Sequence, residues 1–244
     1  MSNAEDMLRN ALEQSYQVFA DVHCPRTLET SPLRDGNEIL QALTSALLQN
    51  LAGEQIGPYS GWAITTVGNY RDYRHFLPRI FDLAVTEPEW LGTEPPVIAG
   101  KLNMGAWRTW PANQQSAVLH VFNAAFDAMI ERHPDAWPSD AADWFCGIAT
   151  LGEEIAPVIE RWRTSTAANA ALNMAGFINA QSKNMRKLGE VQGSFWEAVN
   201  REVRRDVAQL LLEERTLAFL QSASDKVSEE DRFHHLDPVE AQFG

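Results

Sequence analysis

Between Tyr70 and Arg79 the chain reads YRDYRHFLPR, where a carboxylate, an imidazole and a guanidinium recur at helical spacing. On a helix Asp72, His75 and Arg79, followed by Asp82, fall along one polar ridge. Such a histidine can serve as acid or base, with Asp72 orienting it and Arg79 clamping an anion. His75, Asp72 and Arg79 are therefore the candidate catalytic residues. The same side chains suit a structural duty, which the residue types favour. Asp72 would cap the helix, Arg79 would pair with Asp72, Asp82 or another helix, and His75 would satisfy a buried carbonyl.

Eight tryptophans are a high share for 244 residues, and Trp107 and Trp110 flank Arg108 in a turn before Pro111. With Tyr73 and Arg74 these three are candidate ligand or partner contacts, because Trp and Arg side chains give large contact area at small entropic cost. The commoner use of such tryptophans is to wedge between helix layers with the indole N–H on a carbonyl. Trp90, on the proline-rich loop from Glu87 to Pro96, is the tryptophan expected to be exposed.

Other chemistries lack a motif. Gly57-Pro58-Tyr59-Ser60-Gly61 has its serine one place late for a nucleophile elbow, and neither a phosphate-cradling glycine loop nor H-E-x-x-H occurs. Asp72-x-x-His75 has the spacing used in helical di-iron sites but no second copy on a core helix. His23 with Cys24, Asp231-x-x-His234 and the adjacent His234 and His235 are fragments short of the four ligands that a structural site needs, so neither metal nor cofactor is expected. Cys24 and Cys146 lie far apart in unlike contexts, which argues against a structural disulfide.

A net charge of −13 and a pI near 4.9 disfavour phosphate backbones and anionic lipid, and favour a basic protein partner. Mean hydropathy is −0.29, no apolar run approaches the ~18 residues that span a bilayer, and MSNAEDMLRN lacks a signal-peptide layout. A cytoplasmic protein with no membrane role is the expectation.

The elements that must position these residues read as helices nearly throughout. Apolar residues recur three and four apart over residues 5–20, 37–52, 95–106, 111–132, 139–151, 153–163, 165–182 and 194–223. Asn37 would cap the second of these segments and Gly53 would end it. Over 69–86 Tyr73, Phe76, Leu77, Ile80, Phe81 and Ala84 share a face that stays in phase across Pro78, which predicts one kinked helix capped by Asn69. The sum is an all-α protein of eight or nine helices in stacked antiparallel pairs, as an array or an irregular bundle. A single domain over 1–223 and a mobile acidic tail over 224–244 complete the expectation.

Three stretches, TTVGNYRDYRHFLPRIFDL (Thr65 to Leu83), MGAWRTWP (Met104 to Pro111) and FWEAVNREVRRDVAQLLLEERTLAFLQ (Phe195 to Gln221), resemble a family of uncharacterised all-helical bacterial proteins. The similarity runs over about residues 5–223, and YRHFLPR is its most specific element. It implies an all-helical fold and brings no established activity. Many members carry paired cysteines in the loop before their PLR stretch, whereas HCPRTLETSPLRDG here holds Cys24 alone.

Together these features favour a non-catalytic interaction module whose acidic surface docks a partner protein, an immunity or antitoxin protein being one concrete form. The alternative is a small-molecule-binding protein or enzyme with its site around the kinked helix 70–86.

Overall fold

The segments with amphipathic spacing become helix over most of their length in the computed structural model, which describes residues 2–138 and 140–239. Among the described residues there are twelve α-helices and no strand. The count exceeds the expected eight or nine because the segment 194–223 holds two α-helices, a helix forms over Gly53–Trp62 where none was expected, and a short helix follows Ser228. Two compact units meet within the sixth helix, one ending at Ala125 and the other starting at Phe126.

In the first unit, Ser2 caps α1 (Asn3–Val18) by accepting from the Glu5 N–H, and Leu8 and Ala11 carry its buried face. α2 (Gly36–Leu43) starts from Asp35, not Asn37: the Asp35 carboxylate accepts from the N–H groups of both Asn37 and Glu38. Gly53 does not end a helix but begins α3 (Gly53–Trp62). Propensity argues against helix there, since α3 contains Gly53, Gly57, Gly61 and Pro58. Packing overrides it: Trp90 lies so close that a Cβ on Gly53 or Gly57 would come within 2.1 or 2.5 Å of the indole.

α4 (Tyr70–Thr86) runs unbroken through Pro78, with Tyr73, Phe76, Leu77, Ile80, Phe81 and Ala84 buried as their spacing demands. Phe76 meets Tyr59 edge to face at 5.0 Å, and Phe81 meets Phe122 likewise at 6.0 Å. α5 (Pro95–Met104) and the 3₁₀ turn Trp107–Thr109 lead into α6 (Ala112–Glu131).

The second unit holds α7 (Ala141–Leu151), α8 (Ile155–Arg163) and α9 (Ala168–Leu188). Its core is an aromatic cluster in which Phe145 lies 5.5 Å from both Trp162 and Phe177 and 5.8 Å from Trp196. The single helix expected over 194–223 is a 3₁₀ turn, Trp196–Ala198, then α10 (Arg201–Leu211) and α11 (Glu214–Ala223). Asn200 caps α10, and the break before α11 is held by Arg163, only 8% exposed. Its guanidinium donates to the Leu210 carbonyl, to Thr216 Oγ1 at 3.0 Å and to the Glu213 carboxylate at 3.0 Å.

The expectation of a mobile tail from residue 224 is corrected as far as Val239. α12 (Glu229–Asp231) continues into a π-turn, Arg232–Leu236, that packs on α9, and Leu236 and Val239 are fully buried. His133 Nε2 lies 3.1 Å from Asp231 Oδ1, a further tie to the body of that unit. Residues 240–244 of that tail lie outside the described residues.

Candidate functional site

The ridge read from YRDYRHFLPR exists as a helix face, but its members do not converge. Asp72 closes the N-terminus of α4: its carboxylate accepts from the Asn69 N–H at 2.8 Å while Asn69 Oδ1 accepts from the N–H groups of Arg71 and Asp72. Partial burial raises its pKa, the Asn69 N–H lowers it, and Glu29 raises it again. His75 donates from Nδ1 to the Val22 carbonyl at 2.7 Å and stacks edge-on against Phe76. Arg79 donates from Nε to the Leu51 carbonyl at 2.8 Å and reaches Asp82 at 3.5 Å. Asp82 in turn accepts from the Tyr16 hydroxyl, which ties α1 to α4. Each candidate catalytic residue thus holds a different piece of backbone.

Of the proposed contact residues Arg108 is exposed, Arg74 half-buried and the other three buried. Tyr73 and Trp107 are fully buried and Trp110 is 5% exposed, which removes all three from any open surface. Trp107 donates to Asn103 Oδ1 and Trp110 to the Gly105 carbonyl. Arg74 stacks over Trp110 at 4.9 Å while donating to Gln114 Oε1, and Arg108 stacks over Trp107 at 4.2 Å. Trp90 is half-buried in the glycine slot of α3, and Trp137, at 74%, is the exposed tryptophan.

Two features have only weak sequence signals. The first is a charged group in the interior: Lys101, a lone lysine in the apolar run PPVIAGKLNM, is 4% exposed. Its ammonium donates to the carbonyls of Ser60 and Gly61, which lie in the last turn of α3 and so lack intrahelical partners. Burial pulls its pKa down from 10.5 to about 8, opposed by Glu94. Close by, the hydroxyls of Tyr59 and Tyr73 are buried with no hydrogen-bond partner, and burial pushes both phenols well above their usual range.

The second is a groove of about 330 Å³ between α2 and α3. Ile39, Ala42, Pro58 and Trp62 give it an apolar floor, and Asp35, Glu38 and Glu54 an acidic rim. The Arg34 guanidinium lies 3.7 Å over the Trp62 ring at one end. α2 leaves this floor open because Leu43 is its only buried residue, and Leu33, 91% exposed, stands at the edge. The signal in the sequence was the Ile39 and Leu40 pair on a helix too short to bury both.

Among the described residues no three His, Cys, Asp or Glu side chains gather as metal ligands, and no helix is long and apolar enough to cross a membrane. Cys24 is exposed and Cys146 buried, both as free thiols. Comparison with protein-family models, curated proteins and solved structures returns no match.

Proposed function

We propose that this chain is a cytoplasmic, non-catalytic interaction module that holds a basic partner protein through the α2–α3 groove. The observation that carries the reading is the groove itself, an apolar floor on a helix that buries only Leu43, rimmed by three carboxylates. That chemistry fits a segment with one aliphatic or aromatic anchor flanked by Lys or Arg: the anchor fills the floor while the cations meet Asp35, Glu38 and Glu54. The net charge of −13 adds long-range attraction for the same partner. An immunity or antitoxin protein is one form such a module takes. The enzyme reading around 70–86 loses its support, because Asp72, His75 and Arg79 are spent on separate structural bonds.

The test uses short labelled peptides bearing a central Leu or Trp between lysines, with glutamate-flanked counterparts, and reads binding by fluorescence anisotropy. The lysine-flanked peptides are expected to bind, to weaken as salt is raised, and to lose affinity when Ile39→Asp places a carboxylate on the floor. Equal binding of the two peptide sets, or indifference to Ile39→Asp, refutes the proposal.

A further inference from the structure

The α2–α3 groove has a direction. Arg34, just before α2, meets Trp62 at the end of α3, and Ser45, just past α2, accepts from Gln55 Nε2 at the start of α3. The two helices therefore run antiparallel, with a cation at one end of the groove and Glu54 at the other. Glu54 and Trp62, in the first and last turns of α3, are about 12 Å apart along the helix axis, a span that an extended chain covers in about four residues.

The cationic end is built and open to a partner. Arg34 is held in its turn by its N–H, which donates to the Ser31 carbonyl at 3.0 Å, and by its carbonyl, which accepts from Thr30 Oγ1 at 3.2 Å. The Ser31 N–H in turn donates to the Thr66 carbonyl at 3.0 Å. The guanidinium stacks 3.7 Å over the Trp62 ring, and among the described residues no carboxylate or carbonyl accepts from it. Stacking engages the face of the guanidinium and leaves its N–H edge for a planar anion. Asp35, next in the chain, has Oδ1 engaged by the Asn37 and Glu38 N–H groups. Glu38 and Glu54 are exposed, and among the described residues both carboxylates are unpaired.

We infer that the groove takes the C-terminal end of its basic partner, with the terminal carboxylate on Arg34 and an apolar last side chain on Ile39 and Pro58. Lysines or arginines about two to four residues upstream then reach Glu38 and Glu54. A basic segment running through the groove would lay a cation beside Arg34; a segment that ends there lays its carboxylate instead. This inference rests on the reading of the groove as a basic-peptide site and adds the orientation of the peptide.

The test titrates the full chain into a peptide labelled at its N-terminus and ending in Lys-Lys-Ala-Leu, read by fluorescence anisotropy. Three forms are compared: the free acid, the C-terminal amide, and the sequence extended by one amidated glutamate. The free acid is expected to bind about tenfold or more tightly than the amide, and the glutamate-extended form no better than the amide. Long-range attraction to a chain of net charge −13 favours the more cationic amide, so a preference for the free acid reports a local contact. Arg34→Gln should bring the free acid level with the amide while the amide still binds, and Glu54→Gln should weaken both alike. Equal binding of free acid and amide, a glutamate-extended form that matches the free acid, or a preference that survives Arg34→Gln overturns the inference and leaves the basic-peptide reading standing. Absence of binding by all three forms overturns both.

Discussion

Replacing Lys101 by methionine tests whether a buried ammonium sets the alkaline stability of this protein. Lys101 carries its charge into the interior at 4% exposure, where burial lowers its pKa from 10.5 to about 8. Between those values the unfolded chain binds one more proton at this site than the folded chain, so stability rises with pH across the window. Linkage puts the whole rise at about 3 kcal/mol, of which about 2 kcal/mol falls between about pH 7 and about pH 9.5. Above the ordinary phenol value of 10.0 the trend reverses, because the buried phenols of Tyr59 and Tyr73 keep their protons in the folded state only. Urea midpoints of the wild-type chain taken from about pH 7 to about pH 9.5 should therefore climb, while those of Lys101→Met should stay level. Methionine also leaves the Ser60 and Gly61 carbonyls without their donor, a cost of about 1 to 3 kcal/mol for each that stays buried, which appears at every pH and does not mimic the slope. A flat wild-type profile, or the same climb in Lys101→Met, refutes the assignment.

Gly57→Ala is expected to destabilise by more than about 1 kcal/mol although alanine favours helix, because its Cβ would sit 2.5 Å from the Trp90 ring. In a Trp90→Ala background the same change should be tolerated, and urea midpoints of the four chains give the coupling. His75→Ala should cost about 1 to 3 kcal/mol by leaving the Val22 carbonyl unpaired, and should leave peptide binding at the α2–α3 groove unchanged. Phe76→Ala should cost about 3 to 5 kcal/mol, since Phe76 is fully buried against Tyr59; a tolerated change would contradict the helix phase of α4. Leu236→Ala should cost about 2 to 5 kcal/mol in chemical denaturation, and a neutral outcome would restore the reading of residues 224–239 as mobile.

Periodicity alone determined the all-helical class and the inward face of α4, down to Phe76, Ile80 and Phe81, because burial of a helix face is written at a spacing of three and four whatever the partner is. The Asn69 and Asp72 capping box was legible for the same reason: both ends of that interaction lie within one turn of chain. What depended on distant residues was not. α3 is a helix because Trp90, more than thirty positions from Gly53 and Gly57, fills the surface that their missing side chains leave open. The last long helix is broken where Arg163, from α8, captures the Leu210 carbonyl and Glu213. The tail is seated because π-turn residues such as Leu236 find α9. Site chemistry divides along the same line. Residue types marked Asp72, His75 and Arg79 as able to do chemistry, but a side chain's duty is fixed by what stands opposite it. Val22, Asn69 and Leu51 stand there, while the open acidic-rimmed floor lies between α2 and α3, where two segments meet that are each too weakly patterned to announce it.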